Sequence, residues 1–242
     1  MRVGCAGWTV PTQHAPLFPP AGSHLERYAQ RFTAVEINNS FRRPHRQSTY
    51  RRWAATVPEG FAFATKAPRT ITHDLRLVDA GPALDAFLAQ ARGLGAKLGP
   101  LLFQLPPSLA FDESLHRSFF HTLRAGFDGN VACEPRHRGW FTRRADDLLK
   151  EFRIARAAVD PAIVDAAAVP GGWDGLIYFR LHGSPRVYYS EYTEDRLEQL
   201  ARQLIATCDG QAPIWCIFDN TASGSATVNA LGLQARVRNH LP

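Results

Sequence analysis

Short apolar, β-rich runs alternate along the chain with longer stretches whose apolar residues recur at helical spacing. The short runs predict strands at Arg2–Gly7, Ala34–Asn38, Phe61–Lys66, Gly99–Leu105, Asn130–Glu134, Arg153–Val159, Leu176–His182 and Ile214–Asp219. The amphipathic stretches predict helices over 24–31, 46–55, 82–95, 112–125, 142–151, 193–207 and 223–231. Thr142 and Thr193 stand where N-caps belong, each followed by acidic residues that suit the positive end of a helix. Pro82 suits a first helical turn, where its missing donor costs nothing. Between Asp160 and Asp174 the chain is short and rich in Ala, Pro and Gly, so that crossover is expected to lack a full helix. Strands separated by helical crossovers predict an α/β fold: one domain over 1–242, a closed TIM-type (β/α)8 barrel. An open doubly wound sheet is the competing architecture. It is weakened because Gly4-Cys5-Ala6-Gly7-Trp8 is not a dinucleotide loop, and neither nicotinamide nor flavin is expected.

Composition narrows the class. With 45% hydrophobic and 21% charged residues the chain can build a large core, which excludes a disordered or fibrous protein. No apolar run approaches a membrane span, and the first residues lack the apolar stretch of a secretion signal. A cytoplasmic protein without membrane attachment is the expectation. The 28 basic against 22 acidic residues permit anionic partners, nucleic acid among them, without requiring it. Arginine supplies all but three of the basic residues, with local clusters at Arg42, Arg43 and Arg46 and at Arg136 and Arg138. The four cysteines have no redox or zinc-knuckle spacing and read as buried thiols.

Polar residues gather where the predicted strands end. Glu36 and Asn38, two apart, share a strand face, as do Arg180 and His182. Their alternating neighbours Val35, Ile37, Phe179 and Leu181 would then face the helices. Lys66, Gln104, Glu134, Asp160 and Asp219 end other strands. Glu36, Glu134 and His182 are the candidate catalytic residues, since carboxylates and imidazole move protons when their surroundings tune them. Arg136 and Arg180 offer rigid forks for an anion, and Lys66 a point charge. Schiff-base chemistry at Lys66 would need desolvated surroundings that the sequence does not display. His73 is a further binding candidate, equally suited to bracing a loop.

Asp160 and Asp219 are the candidate ligands for a divalent metal, with a network of Arg–carboxylate pairs as the competing reading. Trp8, Trp140, Tyr188 and Tyr192 supply flat apolar faces for a sugar, base or aromatic acid, and Asn220 a hydrogen-bonding amide. No phosphate loop ending in Gly-Lys-Ser/Thr, His-Glu-x-x-His or serine nucleophile elbow is present.

The order of motifs resembles the DUF72, or YecE-like, family. The resemblance runs from Gly4-Cys5-Ala6-Gly7-Trp8 and Phe18-Pro19-Pro20 through Val35-Glu36-Ile37-Asn38-Asn39-Ser40-Phe41 and Phe63-Ala64-Thr65-Lys66-Ala67-Pro68. It continues in Phe103-Gln104-Leu105-Pro106-Pro107, Glu134-Pro135-Arg136-His137-Arg138-Gly139-Trp140, Tyr178-Phe179-Arg180-Leu181-His182-Gly183 and Phe218-Asp219-Asn220. The resemblance implies a TIM-type barrel and no settled reaction. It also implies one shared pocket for Glu36, Asn38, Lys66, His73, Glu134, Arg136, Arg180 and His182. Three positions depart from the pattern: Cys5-Ala6 replaces Thr-Ser, Arg42 replaces a tyrosine, and Asp219 replaces an asparagine.

The leading expectation is an enzyme of hydrolase type, using general acid–base chemistry on a small polar or anionic, sugar- or phosphate-bearing substrate. A divalent-metal-dependent phosphoester hydrolase and a noncatalytic binder of small molecules or nucleic acid are the alternatives.

Overall fold

In the computed structural model, which describes residues 1–208 and 211–240, strands and helices alternate through most of the chain. The strands are β1 (Arg2–Cys5), β2 (Ala34–Ile37), β3 (Ala62–Lys66), β4 (Leu98–Gln104) and β5 (Val131–Glu134). They continue with β6 (Ile154–Arg156), β7 (Ala158–Asp160), β8 (Gly171–Gly172), β9 (Ile177–Leu181) and β10 (Ile214–Phe218). The helices are α1 (His24–Ala29), α2 (Gln47–Thr56), α3 (Gly81–Ala91), α4 (Glu113–Gly126), α5 (Arg143–Glu151), α6 (Glu194–Ala206) and α7 (Ser225–His240). Thr142 and Thr193 cap α5 and α6 by accepting from Ala145 and Arg196 backbone N–H groups. Each cap satisfies a donor that the helix itself cannot.

The strands do not form the single closed eight-stranded parallel barrel that the sequence predicts. They form two sheets, one ordered β1-β10-β9-β7 and the other β2-β3-β4-β5-β6-β8. Two local features divide them. Between β1 and β2 the ladder shrinks to one bridge, Ala6 with Glu36, and upstream of it the Tyr28 hydroxyl stands between the strands, accepting from the Cys5 N–H and donating to the Ala34 carbonyl. The sixth predicted strand breaks at Ala157, whose N–H donates to Cys133. Its first half stays with β5, and its second half pairs with β9. Gly171–Gly172 then lies antiparallel along β6, so this sheet is mixed. Gly172 suits this close approach, since its φ is +65° and a Cβ there would lie 2.7 Å from the Ile154 carbonyl oxygen. Neither the TIM barrel nor the hydrolase assignment is matched by this topology.

Two large apolar clusters fill the space between sheets and helices. Val35, Ile37, Phe179, Leu181 and Phe218 belong to one, and Leu101, Phe103, Val131 and Cys133 to the other. A third, smaller cluster draws on both sheets: Ala34, Ala64, Leu102, Ala132, Tyr178 and Ile217. Two residues further along the same strands stand Glu36, Lys66, Gln104, Glu134, Arg180 and Asp219. The period of two puts these polar residues on the face of the small cluster, one step closer to the strand ends. Among the described residues no helix is long and apolar enough to cross a membrane.

Candidate functional site

The polar layer is organised around Arg180, which is wholly buried. Its Nε and Nη2 donate to Glu36 at 3.0 and 2.6 Å, and Nη1 donates to Glu134 at 2.8 Å. Nη2 also reaches Asp219 at 3.1 Å. The Tyr178 hydroxyl donates to Glu36 at 2.9 Å, and Gln104 donates to Glu134 at 2.9 Å. Arg180, placed by the sequence as an anion holder, therefore directs its fork at internal carboxylates. Burial disfavours its charge, but Glu36, Asp219 and Glu134 outweigh that and raise its pKa well above the ordinary value.

His182 ends the same strand face and joins two carboxylates. Its Nδ1 lies 3.0 Å from Asp219 and its Nε2 3.2 Å from Glu134. Arg136 donates to Glu134 at 2.7 Å and also approaches His182 Nε2 at 3.1 Å. Burial alone would raise the pKa of Glu134, but Arg136 and Arg180 hold it well below the usual carboxylate range. Asp219 is lowered in the same way, burial being outweighed by Arg180 and by the bond to His182.

This network opens at one side into a cavity of about 620 Å³. Lys66, Asn38, Gln104 and Asp219 line its polar floor, Trp8, Phe41 and Tyr188 give apolar wall, and Arg42 and Arg43 stand at the same cavity. Asn38 donates to Asp219 at 3.3 Å. The Lys66 ammonium lies 4.3 Å from the centre of the Phe41 ring. The Lys66 backbone is fixed from both sides: its carbonyl accepts from the Ser40 hydroxyl at 2.7 Å, and the next N–H donates to Leu102. Burial, then repulsion from Arg180, lowers the Lys66 pKa to about 8, although Glu36, Glu134 and Asp219 pull upward.

The structure thus brings Glu36, Asn38, Lys66, Glu134, Arg136, Arg180, His182 and Asp219 together, with Trp8 and Tyr188 at the cavity wall. His73 stands behind that wall, its ring 5.0 Å from Phe41 and its Nδ1 on the Thr72 hydroxyl. Trp140 is elsewhere: it is buried in the core between sheet and helices, its indole N–H on the Leu109 carbonyl and its ring 4.3 Å from His116. Tyr192 is buried beside the network, its hydroxyl donating to the Asp160 carbonyl and accepting from Gly183. Asn220 braces two segments, donating to Ser190 and Asn229. The Asp160 carboxylate is paired with Arg196 at 2.7 Å and not with Asp219's partners, although its carbonyl accepts from the His182 backbone N–H. Among the described residues no group of three or more His, Cys, Asp or Glu is arranged to hold a metal ion.

Tyr178 is the participant that strand-end reasoning missed. It shares the face of Arg180 and His182 by the same period of two, so the signal was present. Arg42 and Arg43 were visible only as a charge cluster, because their place at the cavity depends on the short helical turn Asn39–Phe41.

Fold and site together define an α/β protein whose strand ends carry a buried Arg–carboxylate network beside a polar cavity. The family model described as "Protein of unknown function DUF72" matches residues 2–241, and the chain belongs to that family. The UPF0759 protein YunF of Bacillus subtilis (strain 168) is 23% identical over 94% of this chain and 91% of its own length. A crystal structure of a DUF72 family protein from Enterococcus faecalis V583 has TM-score 0.82 at 21% identity, covering 100% of this chain and 96% of that one. Another, from Thermotoga maritima MSB8, has TM-score 0.81 at 22% identity, covering 98% of each chain. These likenesses establish the fold that the chain shares with its family.

Proposed function

We propose that this protein is an enzyme that uses general acid–base chemistry on a small polar, anionic substrate, either sugar- or phosphate-bearing. One observation carries the reading: the cavity that takes in Lys66, Arg42 and Arg43 has as its floor Asp219, the carboxylate bonded to His182. Cations there attract and orient the anionic group, while the Asp219–His182 pair moves a proton at the reacting end. Glu36, Glu134 and Arg180 hold that pair in place, their own hydrogen bonds being committed to one another. Asn38, at the cavity and on Asp219, orients a substrate hydroxyl or water.

The test is a calorimetric titration with inorganic phosphate and sugar phosphates, each beside its uncharged sugar. The phosphorylated forms are expected to bind, and R42A/R43A to weaken them about tenfold, the worth of one lost charged hydrogen bond. Equal binding of the uncharged sugars, indifferent to R42A/R43A, would sink the reading.

A further inference from the structure

We propose that Lys66 is a nucleophile that condenses with the carbonyl group of an anionic aldehyde, ketone or keto acid bound in the 620 Å³ cavity. This rests on the anionic-ligand reading of that cavity and adds to it a covalent step and a substrate class.

Lys66 stands out from the other cations around it. It is 6% exposed, yet among the described residues its ammonium has no hydrogen-bond or ion-pair partner. Its nitrogen is not sealed in the core: the residue lines the cavity, so the amine faces that space with no protein group competing for it. Its amine is at the cavity, backed by the Phe41 ring, while the strand end and Ser40 fix its backbone. Arg180, Glu36, Glu134, Asp219 and His73 act on it, and Arg42, Arg43 and Tyr188 line the same cavity. The net effect of burial and these charges brings the amine to about 8, where an appreciable share carries a free lone pair near neutral pH. An unperturbed lysine at pH 8 is roughly 0.4% free amine. This desolvation is what a Schiff-base lysine requires.

The free Nζ attacks the carbonyl carbon, and the C–O π pair moves to oxygen, which takes up a proton. Nitrogen gives up a proton as the carbinolamine forms. The C–O bond then breaks, oxygen leaves as water with a second proton, and the nitrogen lone pair closes the iminium. In sum, amine, carbonyl and one proton give iminium and water. Asp219, which lines the same cavity, relays those protons with His182 bonded behind it.

The chain offers its own controls, since Lys97 and Lys150 are the other two lysines. Lys97 donates to the Ala54 and Val57 carbonyls, whereas Lys150 is exposed at the surface near Asp147. The full-length protein would be incubated at pH 8 with pyruvate, glyoxylate or acetaldehyde, each with sodium cyanoborohydride. The reductant delivers hydride to the iminium carbon and fixes it as a secondary amine, which peptide mass mapping locates. We expect pyruvate and glyoxylate to label Lys66 at least about tenfold faster than Lys150, the order of difference a well-placed lowered-pKa amine confers. In K66R, checked for folding by circular dichroism, that label disappears while the Lys150 label remains. Labelling of Lys66 no faster than Lys150 overturns the nucleophile. Labelling of Lys66, relative to Lys150, by acetaldehyde as fast as by glyoxylate, the matched anionic aldehyde, overturns the anionic substrate class. Phosphate titration in parallel separates the two readings: phosphate bound with Lys66 unlabelled removes the covalent step and leaves the anion site, whereas neither result removes both.

Discussion

Arg180 and Lys66 project from the same inner strand face, above the same small apolar cluster, and both are buried. They are nevertheless opposite devices. Arg180 is surrounded by Glu36, Glu134 and Asp219, and four of its donor contacts end on them. Lys66 is flanked by an aromatic face and a cavity, with no carboxylate in contact range among the described residues. A guanidinium fits several carboxylates at fixed angles, so it suits the closed half of the layer. An ammonium shifts its pKa readily when buried, so it suits the open half. The difference teaches that burial of charge has two uses here: one cation holds the strand ends together, and the other is kept available.

The sharpest way to break this comparison is to remove Arg180. R180M would leave Glu36 and Glu134 as buried carboxylates without their main partner. Breaking a buried pair in this way costs about 3–5 kcal/mol. That is a large share of the roughly 5–15 kcal/mol that stabilises a typical domain. Urea denaturation followed by tryptophan fluorescence is expected to show that loss, and E36Q/R180M to recover part of it. A midpoint within error of the parent protein would show that Arg180 does not hold the strand ends.

The same substitution at Lys66 should act in the other direction. The pKa of Lys66 falls from 10.5 unfolded to about 8 folded, so its charge is less favourable in the folded state. Between those values the unfolded chain binds more protons, and the Lys66 contribution to stability rises with pH. Below about 8 both states are protonated and the penalty is constant. K66M is therefore expected to be more stable than the parent at pH 7, its advantage shrinking as pH climbs from 8 towards 10.5. Buried thiols and tyrosines also titrate in that window, so the quantity to follow is the difference between the two proteins in denaturation curves. A difference independent of pH would mean that Lys66 is not a strained charge.

These two residues also show how far the sequence could be read. Strand positions were legible because apolar runs and alternation report burial directly, and seven of the eight predicted segments stay in one strand. The shared neighbourhood of Glu36, Lys66, Glu134, Arg180 and His182 was legible from strand ends and period alone. Closure of the sheet was not. The break at Ala157 and the antiparallel Gly171–Gly172 depend on how the backbone meets Arg156, which no periodicity records. Nor was the contrast between Arg180 and Lys66 legible, since each strand-end cation looks equally available until its partners are located. Trp140 follows a strand end and a glycine as Trp8 does, yet it lies in the core because its indole finds the Leu109 carbonyl.

A third basic residue tests whether solvent alone accounts for the difference. Arg69 lies three residues beyond Lys66 at the start of a π-helical turn, Thr70–Asp74, and pairs with Asp74 at 3.0 Å. Both side chains are about half exposed, 58% and 49%. Water solvates each charge whether or not the pair forms, and ordering two flexible side chains offsets most of the attraction. R69A is therefore expected to change stability by no more than about 0.5 kcal/mol at low salt. At 1 M salt, where the screening length is about 3 Å, the difference should vanish. Denaturation midpoints of R69A and the parent at both salt concentrations measure it. A loss that approaches that of R180M and persists in salt would mean that Arg69 braces the turn behind Phe41 through its stem rather than its charge. The Lys66 wall would then depend on that turn, and the open half of the layer would be held from outside the cavity.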